Sequence, residues 1–429
     1  MDGVQMRGTM LKTVSYSKPL KGEITIPADK SVSHRAVMFA SLAHGKSIIR
    51  NFSSGADCHS TLNLFKALGI KSEILNDKTI SITGGKLMGS NPITRPCNNS
   101  GTTMRLATGI LAGQDFDSVL TGDESLSKRP MKRIIEPLTL MGADITAVDG
   151  HAPLTIKGRP LHGIEYHSPI ASAQVKSAIL LAGLHAEGKT TVIEPYPSRD
   201  HTERLLKYLG ADIQATTVYP SELTAKDIDI VGDISSAAFF IVAGLIVKGS
   251  DFIIKNVGLN PTRTGILDIV KRMNGVVNIF NERDVSGEPC ADIRVQYTDT
   301  LKGCVIEGAD IPRLIDELPV IAVLASLAEG ETIIKNAEDL RNKESDRITC
   351  LVKELRKIGV DIEERKDGFV VRKSDLAGDA ELECYHDHRL AMSFYIAGLV
   401  CKKEIAINGF EWTKISFPEF ENLFGVLHK

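Results

Sequence analysis

The feature that most constrains this chain is an order of helices and strands that it repeats. Residues 319–360 display it. An apolar segment rich in Ala, Leu and Val closes at Glu329-Gly330, which predicts a buried helix ended by glycine. Thr332, Ile333 and Ile334 predict a strand, and a polar loop through Lys343, Glu344, Ser345, Asp346 and Arg347 leads into a second helix. There Ile348, Leu351, Val352, Leu355 and Ile358 fall at i, i+3, i+4, i+7 and i+10, one apolar stripe that Gly359 ends. A strand pair, 361–363 and 369–371, closes the unit around Asp367-Gly368. The same order recurs at 35–70, 105–145, 176–213, 237–277 and 389–427, six units in all. A unit that cannot bury its own apolar face must stack on copies of itself. Two helices and about four strands per unit exceed a solenoid repeat and suit the subdivisions of a globular α/β domain.

A chain of 429 residues is long for one core, so two domains of three units each are expected. The 43% hydrophobic and 24% charged residues, without a run of like charge, argue against disorder. The longest apolar run, 237–247, is well short of the roughly 20 residues that a membrane span needs. Residues 1–18 lack the apolar core of a secretory signal and read as a frayed leader before the first strand. The seven cysteines are odd in number and form no C-x-x-C pair, so reduced thiols in a cytoplasmic protein are expected, with no metal. A net charge of −3 argues against a nucleic-acid binder.

The placement of charge says more than its sum. Lys and Arg gather where helices are expected to begin, although a helix N-terminus already presents unpaired N–H groups and a positive dipole end. An anion reverses that disadvantage. Lys30, Ser31 and Arg35 open one such helix. Gly101, in Asn98-Asn99-Ser100-Gly101-Thr102-Thr103-Met104-Arg105, allows close backbone approach in another. Lys128-Arg129-Pro130-Met131-Lys132-Arg133 opens a third, with Pro130 suited to its first position. Ser172-Ala173-Gln174, Ser198-Arg199-Asp200-His201, residues 343–347 and Asp387-His388-Arg389 complete the set. Stacking brings equivalent loops to one end of a domain. Lys30, Arg35, Arg105, Arg129, Lys343, Arg347 and Arg389 are therefore expected to converge on a cleft between two domains, which suits a ligand with several negative charges.

Two acids break this pattern. Asp316 precedes a buried helix, where an N-cap role would account for it, and Glu344 stands three residues before Arg347, a natural ion pair. Carboxylates facing the same polyanion would oppose its binding, and a site tolerates them chiefly where protons must move.

DKSVSHRA, NNSGTTMR, SKRPMKR, SAQVKSAILLAG, GDISSAAFF, LIDELP, NKESDRI and DHRLAM occur in this order over nearly the whole chain. Together they resemble the EPSP synthase (3-phosphoshikimate 1-carboxyvinyltransferase) family of enolpyruvyl transferases. The resemblance implies an α/β (α+β) fold, a two-domain inside-out α/β barrel of six βαβαββ repeats, three per domain. It implies that residues 1–28 and 232–429 form a first, discontinuous domain and 29–231 a second, with the active site in the cleft between them. The implied reaction moves the enolpyruvyl group of phosphoenolpyruvate to the 5-hydroxyl of shikimate 3-phosphate and releases phosphate, in aromatic amino acid (chorismate) biosynthesis. No cofactor is implied, and the expected partners are these small molecules, with no nucleic acid, no membrane and a monomeric chain.

By the same resemblance Lys30, Ser31, Arg35, Ser172, Gln174, Asp316 and Lys343 contact shikimate 3-phosphate. Lys30, Gly101, Arg129, Gln174, Arg347 and Arg389 contact phosphoenolpyruvate. Asp316 is the expected base on the hydroxyl and Glu344 the group serving the methylene carbon, with Lys30 as rival donor. The chain departs from the common family pattern at Ala28-Asp29, at His34, at Ala173, where many members have Ser and where Arg199 is a candidate to offset the lost hydroxyl, and at Lys414, which lies three residues before Phe417. An alanine at the position of Gly101 is associated in the family with glyphosate tolerance. The rival readings are the sister enolpyruvyl transferase acting on UDP-N-acetylglucosamine and a non-catalytic polyanion-binding relative.

Overall fold

The computed structural model describes residues 10–89 and 94–428. The chain divides into two compact units. One runs up to Pro27, resumes with Gly232–Arg283 and continues from Cys290; the other comprises Ala28–Val231 and Asp284–Pro289. Each has its own hydrophobic core.

Composition decides which helices lie innermost. In the unit built on Ala28–Val231, the helices Lys30–Leu42, Gly101–Ala112 and Ala173–Gly183 are buried almost all round. Past their first turns they consist mainly of aliphatic, Ala, Gly, Ser and Thr residues, so no polar stripe turns a face to water. Ala56–Ala67, Lys132–Leu140 and His201–Tyr208 are amphipathic and pack on that inner set by their apolar faces. The other unit follows the same division. Ile234–Ile246, Leu318–Ala325 and His388–Gly398 are buried and pack on one another, while Gly265–Arg272, Arg347–Lys357 and Phe420–Leu427 present one face to solvent.

The described strands form six sheets, five of four strands and one of three. In the Ala28–Val231 unit every sheet begins with a parallel pair and continues with two antiparallel ones. Ile228–Asp229 beside Gly45–Arg50, Thr94–Pro96 beside Ser118–Thr121, and Glu165–His167 beside Thr190–Ile193 are the parallel pairs. Antiparallel partners follow at Thr79–Gly84, His151–Lys157 and Thr217–Val218. In the other unit Val305–Ile306, Glu331–Ile334, Gly368–Arg372 and Asp361–Arg365 repeat this order. The sheets are open, and the expected barrel is not formed by the described strands. Buried helices fill each unit's interior, as an inside-out arrangement implies.

Two further expectations change. Leu11–Val14, within the expected leader, is a strand that pairs antiparallel with Ile405–Asn408, Leu11 opposite Asn408; residues 1–9 lie outside the described residues. The helix expected to run to Glu329 stops at Ala325. Its continuation is drawn into backbone bonds, with Glu329 N donating to Leu301 O at 2.8 Å and Gly303 N donating to Glu329 O at 2.7 Å.

Gly109 sets the distance between two inner helices. A methyl group there would meet the carbonyl oxygen of Ala178 at 2.1 Å, so the Gly101–Ala112 and Ala173–Gly183 backbones touch. Gly109→Ala is expected to destabilise the protein by about 1–3 kcal/mol through overpacking. Denaturant titration checks this, and an unchanged midpoint would contradict the packing.

Candidate active site

The first turns of the buried helices carry most of the residues singled out by sequence. In the Ala28–Val231 unit, Asp29 caps its helix by accepting from Val32 N at 2.9 Å. Lys30 pairs with Asp57, Nζ to Oδ2 at 2.6 Å. The Asp29 carboxylate beside it in sequence caps the helix end, and this partner in space comes from 27 residues away. Arg35 is buried, donating from Nε to Thr202 Oγ1 at 2.7 Å and from Nη2 to Ser177 Oγ at 2.9 Å. Burial lowers its proton affinity, Glu203 opposes that, and the nearby charge of Arg199 adds to the lowering.

Ser100 caps the Gly101 helix through Thr103 N at 3.2 Å. Arg105 Nη1 donates to Gln174 Oε1 at 2.6 Å, and Gln174 Nε2 donates to Thr102 Oγ1 at 3.0 Å, so the N-termini of two inner helices are bonded together. Arg129 Nη2 donates to Asn99 Oδ1 at 2.9 Å. A methyl group on Gly101 would lie 3.0 Å from Arg105 Nη1 and 3.5 Å from Arg129 Nη1. Pro130 does not open the helix, which starts at Lys132 after Met131. Arg129 N instead continues the preceding turn by bonding Leu126 O at 3.0 Å. Ser172 precedes the third helix and makes no side-chain capping bond; its amide donates to Glu194 Oε1 at 2.9 Å. Glu194 also faces the buried Lys176 at 3.1 Å, which pairs with Glu203 at 2.8 Å.

In the other unit the centre is Arg347. Its side chain is 2% exposed and reaches Asp387 from Nε at 2.8 Å, Glu344 from Nη2 at 2.6 Å and Asp316 from Nη1 at 3.4 Å. Burial works against its charge, but Asp387, Glu344 and Asp316 outweigh that and raise its pKa above the ordinary arginine value. Asp316 is not an N-cap. The helix begins at Leu318, with Glu317 at the cap position making no side-chain capping bond. Asp316 turns instead to Arg347 and to Lys343, which stands 3.8 Å away and also 3.4 Å from Asp339. Arg389 Nη1 donates to Asp316 O at 3.2 Å and lies 3.8 Å from Glu317. Glu317 accepts from Ser235, whose hydroxyl receives Arg263 Nη2 at 2.6 Å. Asp387 caps its own helix, accepting from Arg389 N at 2.9 Å.

Lys30, Ser31, Arg35, Gly101, Arg129, Ser172 and Gln174 thus belong to one unit, and Asp316, Lys343, Glu344, Arg347 and Arg389 to the other. Sequence reasoning missed Asp57, Glu317 and the role of Asp387. Only Asp387 left a local trace, as an Asp directly before a helix carrying Arg389. Lys414 lies in a 3-10 turn and is exposed. All seven cysteines are free thiols, and burial pushes those of Cys58 and Cys97 up to about 12.

Such a site defines a class: a mixed α/β protein whose helix N-termini set Lys and Arg beside a few carboxylates, fit for small, multiply charged anions. The sequence profile of EPSP synthase (3-phosphoshikimate 1-carboxyvinyltransferase) matches residues 14–424, and the chain belongs to that family. A 3-phosphoshikimate 1-carboxyvinyltransferase of Geotalea uraniireducens (strain Rf4) is 50% identical over 417 residues, 95% of this chain and 97% of the relative. The structure of EPSP synthase from Acinetobacter baumannii superposes with a TM-score of 0.87 at 43% identity, covering 98% of each chain. The enolpyruvyl transferase NikO from Streptomyces tendae, 17% identical, shares the fold with a TM-score of 0.78 over 98% of this chain and 97% of its own.

His34 ties two of these helix starts together. Its Nδ1 lies 2.6 Å from Thr61 Oγ1, which is 2.6 Å from Thr103 Oγ1, which in turn is bonded to Ser100. Burial lowers its pKa to about 3, with Lys30 and Arg35 adding to the lowering and Asp57 and Asp29 opposing it. Between that value and the ordinary 6.5 the unfolded chain binds a proton that the folded one does not. Its contribution is therefore complete above 6.5 and lost as pH falls toward 3, by up to about 1.4 kcal/mol per pH unit. His34→Asn is expected to lose less thermal stability than the parent on acidification from pH 6.5 to pH 4; equal losses would contradict a buried neutral imidazole.

Proposed function

We infer that the protein transfers the enolpyruvyl group of phosphoenolpyruvate to the 5-hydroxyl of shikimate 3-phosphate and releases phosphate. Family membership over residues 14–424 carries this reading. The chemistry of the two clusters supports it. Both substrates bear a phosphate and a carboxylate, and charge-assisted bonds from Lys and Arg contribute about 1.5–3 kcal/mol each.

In this reading Lys30, Ser31, Arg35, Ser172 and Gln174, with Asp316 and Lys343, engage shikimate 3-phosphate. Lys30, Gly101, Arg129, Gln174, Arg347 and Arg389 engage phosphoenolpyruvate. In the addition step the 5-oxygen bonds to C2 of the enolpyruvyl group, its proton leaves to Asp316, and C3 takes a proton to become a methyl group. In the elimination step C3 loses a proton and the bond from C2 to the phosphate oxygen breaks. Glu344 serves C3, with Lys30 as the alternative donor. Asp316 and Glu344 lie on opposite nitrogens of one guanidinium, which supports giving them separate tasks in one reaction. The recurring sheet order supports a repeat of three copies in each unit. One chain supplies every group named, so a monomer suffices.

Asp316→Asn and Glu344→Gln are each expected to lower kcat by about 10²-fold or more while substrate affinity changes little. Phosphate-release kinetics with equilibrium binding checks this; parallel loss of affinity and rate would contradict the proton-transfer roles. Gly101→Ala places a methyl group 3.0 Å from Arg105 Nη1. It is expected to raise KM for phosphoenolpyruvate by about tenfold, from a displacement near the reacting group, and to spare that for shikimate 3-phosphate. Equal changes in the two KM values would place Gly101 away from the phosphoenolpyruvate subsite.

A further inference from the structure

Four residues before Arg389 begins a stretch of backbone that ordinary side chains avoid. Tyr385 and His386 are consecutive and both left-handed, with φ of 53° and 59°. Neither is glycine, so each conformation persists only because its surroundings impose it.

Those surroundings are specific. The Tyr385 hydroxyl donates to Glu354 Oε1 at 2.7 Å, and Lys353 Nζ stands 5.5 Å from the centre of the same ring. The Glu354 side chain is wholly buried, and its Oε2 accepts from Glu383 N at 3.0 Å and Lys357 Nζ at 2.6 Å. Glu383 in turn accepts from Tyr385 N at 3.1 Å and from Asn408 Nδ2 at 2.9 Å. The His386 ring lies against Trp412, centroids 4.6 Å apart.

Glu354 sits on the helix Arg347–Lys357, which Arg347 begins. That helix therefore holds the loop at two points two turns apart, through Glu354 to Tyr385 and through Arg347 to Asp387. Asp387 also receives Arg389 N. Asp387 thus accepts from the Arg347 side chain and from the Arg389 backbone amide, so one carboxylate, held by this loop, joins the start of the helix carrying Arg389 to the guanidinium of Arg347.

We propose that Glu354 and Tyr385 are positioning residues for phosphoenolpyruvate, clamping the left-handed turn so that Asp387 sets Arg347 and Arg389 in a fixed mutual register. This rests on the reading of those two arginines as phosphoenolpyruvate contacts. A purely structural clamp would change stability without discriminating between substrates. A positioning clamp changes the KM of one substrate and leaves the other alone.

The test is steady-state kinetics with both substrates varied, together with thermal melting, on the parent protein, Tyr385→Phe, Glu354→Gln and Arg389→Gln. Tyr385→Phe removes one hydroxyl and leaves Glu354 bonded to Lys357 and Glu383, so it is the variant that keeps the fold if Glu354→Gln does not. Tyr385→Phe is expected to raise KM for phosphoenolpyruvate by about fivefold to tenfold, with that for shikimate 3-phosphate nearly unchanged and the melting temperature close to the parent's. Unchanged KM values, or equal rises for both substrates, would overturn the proposal. If Arg389→Gln leaves KM for phosphoenolpyruvate unchanged, the reading of the arginines fails instead, and the proposal falls with it. An increase in Arg389→Gln without one in Tyr385→Phe overturns the clamp alone.

Discussion

In each unit three buried helices begin side by side, and the rest of the site follows from having to satisfy those beginnings. A helix start leaves N–H groups without intrahelical partners and carries partial positive charge. Asp29, Ser100, Asp233 and Asp387 answer part of that demand as caps. Guanidinium bonds tie neighbouring starts together, Arg105 to the Gln174 side chain and Arg389 to the Asp316 carbonyl. The Lys and Arg side chains gathered there are held by carboxylates, Lys30 by Asp57 and Arg347 by Asp387, Glu344 and Asp316.

Arg347 shows how a buried cation is kept charged. Removing an ion from water costs several kcal/mol after relaxation, and only well-placed partners offset it. Asp387, wholly buried, supplies a permanent partner, while Asp316 and Glu344 remain partly exposed, with side chains 16% and 27% accessible. The difference is one of access: in the proposed reaction the sealed carboxylate would hold geometry and the two that solvent reaches would be the ones free to exchange protons.

Much of this was legible in the sequence where the signal is local. The stripe from Ile348 to Ile358 predicted the Arg347–Lys357 helix, and Asp367-Gly368 the hairpin beside it. The ordered motifs pointed to the family. What stayed hidden depends on distant parts of the chain meeting. Asp57 reaching Lys30, Glu354 reaching Tyr385 and Leu11–Val14 pairing with Ile405–Asn408 leave no periodicity to read. The N-cap expected of Asp316 failed for a related reason: the pull of Arg347 and Lys343 on its carboxylate is a property of the folded unit. Of the expected inside-out barrel, the described residues bear out the mixed α/β fold, while their strands stay in open sheets without barrel closure.

The central claim is that acids set among these cations deliver a proton to carbon and take one back. Turnover in deuterium oxide tests it most directly, because addition creates a methyl group at C3 and elimination removes one of its three hydrogens. Mass spectrometry of the product is predicted to find deuterium in its vinyl methylene. A product carrying only protium there would contradict the account.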